Sequence, residues 1–291
     1  MQVSLLGNGV FGSAIGSVLE HNGVRPQYAD IGQPLTSNAD VLIILVPTQA
    51  IRSALKDNSH AVTDSTIIVS CSKGIEEATH FLPHQIVADM GIKNPYYSLL
   101  GPSFAENIIE RQPTIMSLGY DDYEHVDELQ SLLQNDYFRI RPIEGCEMLE
   151  MAAAFKNIYA ISCGYAQGLG YGANTRAALI TLALQEFAAL AHAKGFTGYD
   201  VLSPGVLGDM VLTCSSDKSR NFQFGHELAE STDTAHLSAQ AKTTEGYHTA
   251  HSVLAIAEQA GLRLPLAELT ARVVHHPGPH DETFRAFMAQ C

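Results

Sequence analysis

The sequence predicts an α/β fold: a doubly wound, mostly parallel sheet in the N-terminal half, followed by an all-α second domain. Short apolar runs alternate with helical spacings through the first half, the β pattern stops near Ile143, and a glycine-rich turn directly follows the first apolar run. That rhythm of strand then helix is the signature of parallel strands with helices on both faces. With 291 residues, 46% of them hydrophobic and 16% charged, the chain has ample material for two cores. The boundary is placed at Pro142, giving domains 1–142 and 143–291.

The elements follow in order. Val3, Ser4, Leu5 and Leu6 form the first strand, and residues 13–19 open a helix. Residues 27–29 are the candidate second strand, which Pro26 makes a poor sheet member. Further strands are read at 41–46, 66–71, 97–100, 114–118 and 138–140. Between them, Ala50, Ile51, Ala54 and Leu55, then Val126, Leu129, Leu132 and Leu133, have the spacing of amphipathic helices. Beyond the boundary, 148–168, 176–195, 246–261 and 266–274 read as helices with Gly or Pro at their ends.

Lysine and arginine number 17 against 31 acidic residues, a formal net charge of −14. Such a surface repels nucleic acid and anionic lipid, so no nucleic-acid partner is expected, and cations that serve an anionic ligand must be concentrated in one place. Cys71, Cys146, Cys163, Cys214 and Cys291 are scattered, with no C-x-x-C pair, which fits a reduced, cytoplasmic protein. The early first strand leaves no room for a secretory leader, and the apolar runs fall far short of the roughly 20 residues a bilayer span needs. No membrane insertion is expected.

Gly7-Asn8-Gly9-Val10-Phe11-Gly12 is a G-x-G-x-x-G pattern between a strand and a helix, the context in which glycines let a backbone approach a pyrophosphate at a positive helix N-terminus. A Rossmann-like dinucleotide site is therefore expected at the start of the chain. Asp30 either binds the ribose hydroxyls of a dinucleotide or is a solvated turn carboxylate. Ligands of open α/β sheets bind beyond the carboxyl ends of the strands, and three polar loops fall there: Pro47-Thr48, Ser72-Lys73-Gly74 and Gly101-Pro102-Ser103-Phe104-Ala105. Lys73 is a candidate for an anionic substrate or the nicotinamide region.

Lys156 is the only charged residue between Glu150 and Arg176, with Ala152, Ala153, Tyr159 and Ala160 at helical spacing around it. It either snorkels to the surface or is buried with a lowered pKa suited to general acid/base work. Asn157 either binds a substrate oxygen or is an ordinary helix polar residue. Asp209, Thr213, Ser219, Arg220 and Asn221 form a glycine-anchored polar cluster. It reads as a site for a hydroxylated phosphate, gripped by the Arg220 fork, or as a capped loop between helices. His275, His276 and His280 lack metal-ligand spacing and read as part of a Pro/Gly-rich surface tail, so no metal is expected.

Taken together and in this order, G-N-G-V-F-G-S-A at 7–14, S-K-G-I-E at 72–76, G-P-S-F-A-E at 101–106, F-K-N at 155–157, G-L-G-Y-G-A-N at 168–174, Gly208-Asp209 and Ser219-Arg220-Asn221 resemble the NAD(P)-dependent glycerol-3-phosphate dehydrogenases. The resemblance implies reversible reduction of dihydroxyacetone phosphate to sn-glycerol 3-phosphate, feeding phospholipid synthesis, by a cytoplasmic homodimer. By the same resemblance Lys156 is the catalytic lysine. Lys73, Gly101, Ser103, Asn157, Asp209, Thr213, Ser219, Arg220 and Asn221 are substrate-binding. The resemblance also matches Val10, Phe11, Lys73, Ala105, Arg220 and Glu245 to cofactor contacts, joining Gly7, Gly9, Gly12 and Asp30, which the glycine-turn reading makes cofactor-binding candidates. Two departures stand out: Ala173 replaces an acidic residue before Asn174, and residues 31–40 are too few to hold a crossover helix comfortably. With no Lys or Arg beside Asp30 to meet a 2′-phosphate, the cofactor is NAD or NADP with NAD favoured.

Overall fold

The computed structural model describes residues 1–197, 200–230, 237, 240–241, 244–276 and 280–291. They form two compact units, Met1–Glu150 with Ser203–Gly205, and Met151–Leu202 with Val206–Cys291.

The first unit is built on seven strands: β1 (Val3–Leu6), β2 (Gln27–Ala29), β3 (Val41–Ile44), β4 (Ile67–Ser70), β5 (Tyr96–Leu100), β6 (Thr114–Tyr120) and β7 (Phe138–Glu144). Their order is β2-β1-β3-β4-β5-β6-β7, and only the β5–β6 pairing is antiparallel. All four residues of β1, β3 and β4 are buried, as near-continuous apolar runs covered on both faces should be. Alternate side chains divide between two cores. Val3, Leu5, Val41, Ile43, Ile67 and Val69 face helices α1 (Val10–His21), α4 (Ala105–Ile109) and α5 (Val126–Leu133). Leu6, Leu42, Ile44 and Ile68 face α2 (Ile51–Asp57) and α3 (Pro83–Asp89).

One local feature departs from the sequence reading. Gln27, Tyr28 and Ala29 pair in parallel register with Ser4, Leu5 and Leu6; Pro26 precedes the strand at a sheet edge, where its missing N–H costs no ladder bond. The compact units divide at Glu150, and the sequence reading puts its domain boundary at Pro142. Pro142 sits inside the edge strand β7 opposite Leu118, and the next helix keeps its first turn on the sheet, with Cys146 and Leu149 packed against Gly119. Residues 203–205 join the same unit through the Gly205 N–H, which donates to Ser117 Oγ at 2.9 Å.

Residues 31–40 contain no helix. Leu35 and Ala39 plug that part of the sheet face instead. The end of α2 holds them: Asn58 Oδ1 accepts the Leu35 N–H at 2.7 Å, His60 Nε2 meets the Leu35 carbonyl at 2.7 Å, and the Ala39 N–H donates to the Ala61 carbonyl.

The second unit is helical: α6 (Cys146–Gly168, continuing from the first unit), α7 (Ala173–Ala193), α8 (Asp209–Ser215), α9 (Arg220–Glu230), α10 (Glu245–Gln259), α11 (Pro265–His275) and α12 (Asp281–Met288). Every residue of α6 from 151 to 166 is buried, as expected of a helix apolar on all sides. It crosses α9 backbone to backbone: a Cβ at Gly164 would collide with the Phe222 carbonyl oxygen, and one at Gly225 with that of Ile161. Glu186 of α7 ties α6 to α11, accepting the Tyr159 hydroxyl at 3.0 Å and the Leu266 and Ala267 N–H groups at 2.5 and 3.2 Å. The carboxylate thus caps the open end of α11, and burial pushes its pKa up.

Candidate functional site

In the first unit the predicted loops gather along one sheet edge. β2 and β3 flank β1 on opposite sides, so the chain reverses direction across the sheet at the carboxyl end of β1, where open sheets hold ligands. Gly7 ends β1 with φ +114°, lying against the backbone of Leu45 just past β3. A Cβ on Gly12 would collide with the Gly7 carbonyl oxygen, while nothing lies within 4 Å of a Cβ position on Gly9. The turn is therefore closed on its inner side and open on its outer side. It leads into α1, whose first turn holds no acidic residue and whose first N–H groups lack intrahelical partners. Val10 is 72% exposed and Phe11 is packed against the core. A cradle that any side chain would fill, at the positive end of a helix of 12 residues, fits a dinucleotide pyrophosphate.

Asp30 sits at the end of β2. Its Oδ1 accepts the Ile31 N–H at 2.8 Å, and its backbone exchanges two hydrogen bonds with Gln33. Both readings of Asp30 meet here, because an exposed turn carboxylate at this strand end is also where ribose hydroxyls would lie.

Farther along the edge, Lys73 Nζ donates to the Gly101 carbonyl at 3.4 Å and Ser103 Oγ donates to the same oxygen at 2.9 Å. The predicted residues Lys73, Gly101 and Ser103 are thus brought together, with Ala105 opening α4 behind them. Thr48 Oγ1 donates to the Lys73 carbonyl at 2.8 Å and Ser72 Oγ to the Val46 carbonyl at 2.6 Å. These bonds lock the loops after β3 and β4 to each other.

In the second unit Lys156 is 5% exposed, which excludes snorkelling. Its Nζ donates to Asp209 Oδ1 and to Thr213 Oγ1, each at 2.9 Å, and Thr213 Oγ1 lies 3.4 Å from Asp209 Oδ1. Asp209 and Thr213 are themselves buried and occupy one face of α8, one turn apart. The cluster read as a possible loop is thus largely helical, with Asp209 and Thr213 on α8 and Arg220 and Asn221 opening α9. Asn157 Nδ2 donates to Glu245 Oε2 at 2.9 Å, and Asn221 Oδ1 accepts the Gly246 N–H at 2.9 Å. Ser219 is buried at the entry to α9, where its Oγ accepts the Phe222 N–H. Arg220 is exposed and makes no hydrogen bond or ion pair among the described residues.

Of the histidine group, His275 stacks on His251 with ring centroids 4.4 Å apart, and burial lowers its pKa. Pro277, Gly278 and Pro279, the core of the expected surface tail, lie outside the described residues. Among the described residues no three His, Cys, Asp or Glu side chains are grouped to hold a metal, and no helix is long and apolar enough to cross a membrane.

One buried cluster went unread in the sequence. Glu150, wholly buried, accepts from the His84 backbone N–H at 3.1 Å, His84 Nδ1 at 2.7 Å and the Tyr96 hydroxyl at 2.5 Å. Burial pushes the His84 imidazole down, and the bond and charge of Glu150 outweigh it, so the net shift is upward. No local pattern joins residues this far apart in the chain; the absence of other charges after Glu150 was the only available hint.

Comparison with known proteins decides the family. Residues 27–126 match the N-terminal family domain described as NAD-dependent glycerol-3-phosphate dehydrogenase, and residues 146–285 match the C-terminal one. The chain is 35% identical over 260 residues to the glycerol-3-phosphate dehydrogenase (NAD(P)+) of Thermobifida fusca, covering 87% of this chain and 76% of that one. The chain belongs to the NAD-dependent glycerol-3-phosphate dehydrogenase family. Its similarity to the family member of Staphylococcus carnosus is lower, 28%, but spans 99% of this chain and 98% of that one. The crystal structure of a glycerol-3-phosphate dehydrogenase from Coxiella burnetii superposes with a TM-score of 0.83 at 25% identity, covering 94% of each chain. The chain is thus an enzyme of this NAD(P)-dependent family, with its Rossmann-like sheet and helical C-terminal region.

Proposed function

We propose that this enzyme interconverts dihydroxyacetone phosphate and sn-glycerol 3-phosphate, with NAD as the preferred cofactor and Lys156 as general acid/base. The observation that carries the reading is the buried ammonium of Lys156, oriented by Asp209 and Thr213 at 2.9 Å each. The nicotinamide cofactor, when bound, supplies or takes up the hydride. Lys156 donates a proton to the carbonyl oxygen as that oxygen gains negative charge, and takes it back in the reverse direction. Asp209 balances the ammonium charge in a water-poor surrounding, and Thr213 fixes its direction, so little reorganisation is needed during the transfer.

The Asn157 and Asn221 amides and the Ser219 hydroxyl provide polar contacts for substrate hydroxyls. Arg220, exposed and free of partners among the described residues, offers its planar fork to the phosphate. In the first unit Lys73, beside Ser103 and Gly101, contributes a further cation toward substrate or cofactor. The Gly7, Gly9 and Gly12 turn with Val10 and Phe11 holds the pyrophosphate, Asp30 the ribose, and Ala105 and Glu245 complete the cofactor contacts. The absence of a Lys or Arg between Arg25 and Arg52 supports NAD over NADP, since a 2′-phosphate beside Asp30 would meet like charge. Family membership further supports domains divided near residue 142, a cytoplasmic homodimer, and a place supplying glycerol phosphate to phospholipid synthesis.

The test is the loss of reduced-nicotinamide absorbance with dihydroxyacetone phosphate, run separately with NADH and NADPH. Turnover that needs this substrate and is faster with NADH is the expected result. Lys156→Ala should bind cofactor and fail to turn over; turnover retained in that variant, or a requirement for another carbonyl substrate, would overturn the proposal.

A further inference from the structure

A second cavity lies in the first unit, away from the cofactor edge. It is lined by residues before β4 (Val62, Thr63, Asp64), residues before β5 (Met90, Ile92, Lys93) and the end of α2. It therefore opens at the amino ends of these parallel strands, the edge opposite to Thr48, Ser72 and Gly101. Its volume is about 660 Å³, within the roughly 300–1,000 Å³ of small-molecule sites.

The lining has two chemistries. Leu55, Val62, Met90 and Ile92 supply an aliphatic wall, and Arg52, Lys56 and Lys93 supply cations against one lining acid, Asp64. In a chain of net charge −14 this is a marked concentration: between residues 26 and 110 the cationic residues are Arg52, Lys56, Lys73 and Lys93, and only Lys73 is absent from the lining. Arg52 is already engaged, bonded to Glu76 at 2.8 and 2.9 Å and to Asp89 at 2.6 Å. It acts as a strut that fixes the wall. Lys56 and Lys93 are exposed and have no ion pair or hydrogen bond among the described residues. Two unengaged ammonium groups beside an aliphatic wall are complementary to a molecule with an anionic head and a hydrocarbon body.

We infer that this cavity binds an amphipathic anion, an aliphatic phosphate monoester or carboxylate, with its head on Lys56 and Lys93 and its chain along Leu55, Val62, Met90 and Ile92. The inference does not depend on the reaction proposed above, because its readout is binding.

Calorimetric titration of the full chain, below micelle-forming concentrations and with excess glycerol 3-phosphate to fill any phosphate site of the reaction, tests it with four probes: decyl phosphate, decanoate, decanol and inorganic phosphate. Expected is one site for decyl phosphate, decanoate or both, which tells the two head groups apart, with decanol and inorganic phosphate at least tenfold weaker. The Lys56→Ala/Lys93→Ala variant should lose about tenfold or more in affinity, the effect of a lost charge-assisted hydrogen bond, with turnover and melting temperature unchanged. Ile92→Asn gives an independent check on the wall and should weaken both anionic chain-bearing probes. Failure of both anionic probes to bind, equal binding by decanol, or affinity unchanged in the lysine variant would overturn the inference. So would a lysine variant that splits a dimer, because a second copy of the chain would then be the occupant.

Discussion

Separating the charges of Lys156 and Asp209 gives the sharpest test of how the second unit is built. Both side chains are almost fully buried and meet at 2.9 Å. Lys156→Met takes the ammonium away from the buried Asp209 carboxylate, and Asp209→Leu takes the carboxylate away from the buried Lys156 ammonium. Removing one partner of such a pair costs about 3–5 kcal/mol, whereas replacing both with apolar groups of similar volume is often close to neutral. At about 2–4 °C per kcal/mol for a unit of this size, each single variant should melt about 6–20 °C below wild type. The double variant should recover most of that loss, giving a coupling energy of several kcal/mol rather than additivity. Differential scanning calorimetry and urea unfolding, monitored in the second unit, supply the cycle, and all three variants should lack turnover. Additive losses, or single variants within about 1 kcal/mol of wild type, would refute the claim that these two charges depend on each other.

Three other outcomes are expected. Gly12→Ala should fold with a displaced turn and lose cofactor binding, measured by quenching of NADH fluorescence, because its Cβ has no room beside the Gly7 carbonyl; wild-type affinity would contradict the cradle. Arg220→Ala should raise KM for the phosphate substrate by about tenfold or more while moving kcat less, the pattern of a lost charge-assisted anchor, and an unchanged KM would remove it from the site. His84 lies above its ordinary value of 6.5 in the folded protein, so its bond to Glu150 stabilises fully below that pH and fades as pH rises through the raised value. The melting-point deficit of His84→Gln should therefore be larger at pH 6 than at pH 9, and a deficit that grows with pH would reverse the sign.

How much could be read without coordinates follows from the range of each interaction. β1, β3 and β4 announce themselves because a strand covered on both faces is apolar at nearly every position, Ser4 and Ser70 being the exceptions, and the glycine turn does so because its steric demands are met within a few residues. The crevice loops were legible from connectivity alone, since each follows a strand. Lys156 stood out by contrast with its neighbours, but its burial did not: the choice between snorkelling and burial depended on Asp209, far away in sequence. The helical character of 209–215 and 220–230 was hidden by their short length and the glycines and serines around them. Pro142 is held within β7 because an edge strand accepts a proline that an inner strand would refuse. Glu150 and Glu186 carry no local signature, for each is defined by partners brought to it from other elements.

The crossing of α6 and α9 at Gly164 and Gly225 bears on where this protein holds still. With backbones in direct contact and no side chain between them, the two helices cannot part without exposing the whole buried length of α6 to water. Amides in 151–166 should thus exchange with deuterium only through the deepest opening of the unit, while those of the Asp30–Gln33 turn exchange early. Lys156 rides on the slowest segment and Arg220 projects from the first turn of its partner helix, so the proposed proton donor is anchored in rigid material and the proposed phosphate anchor reaches out from it.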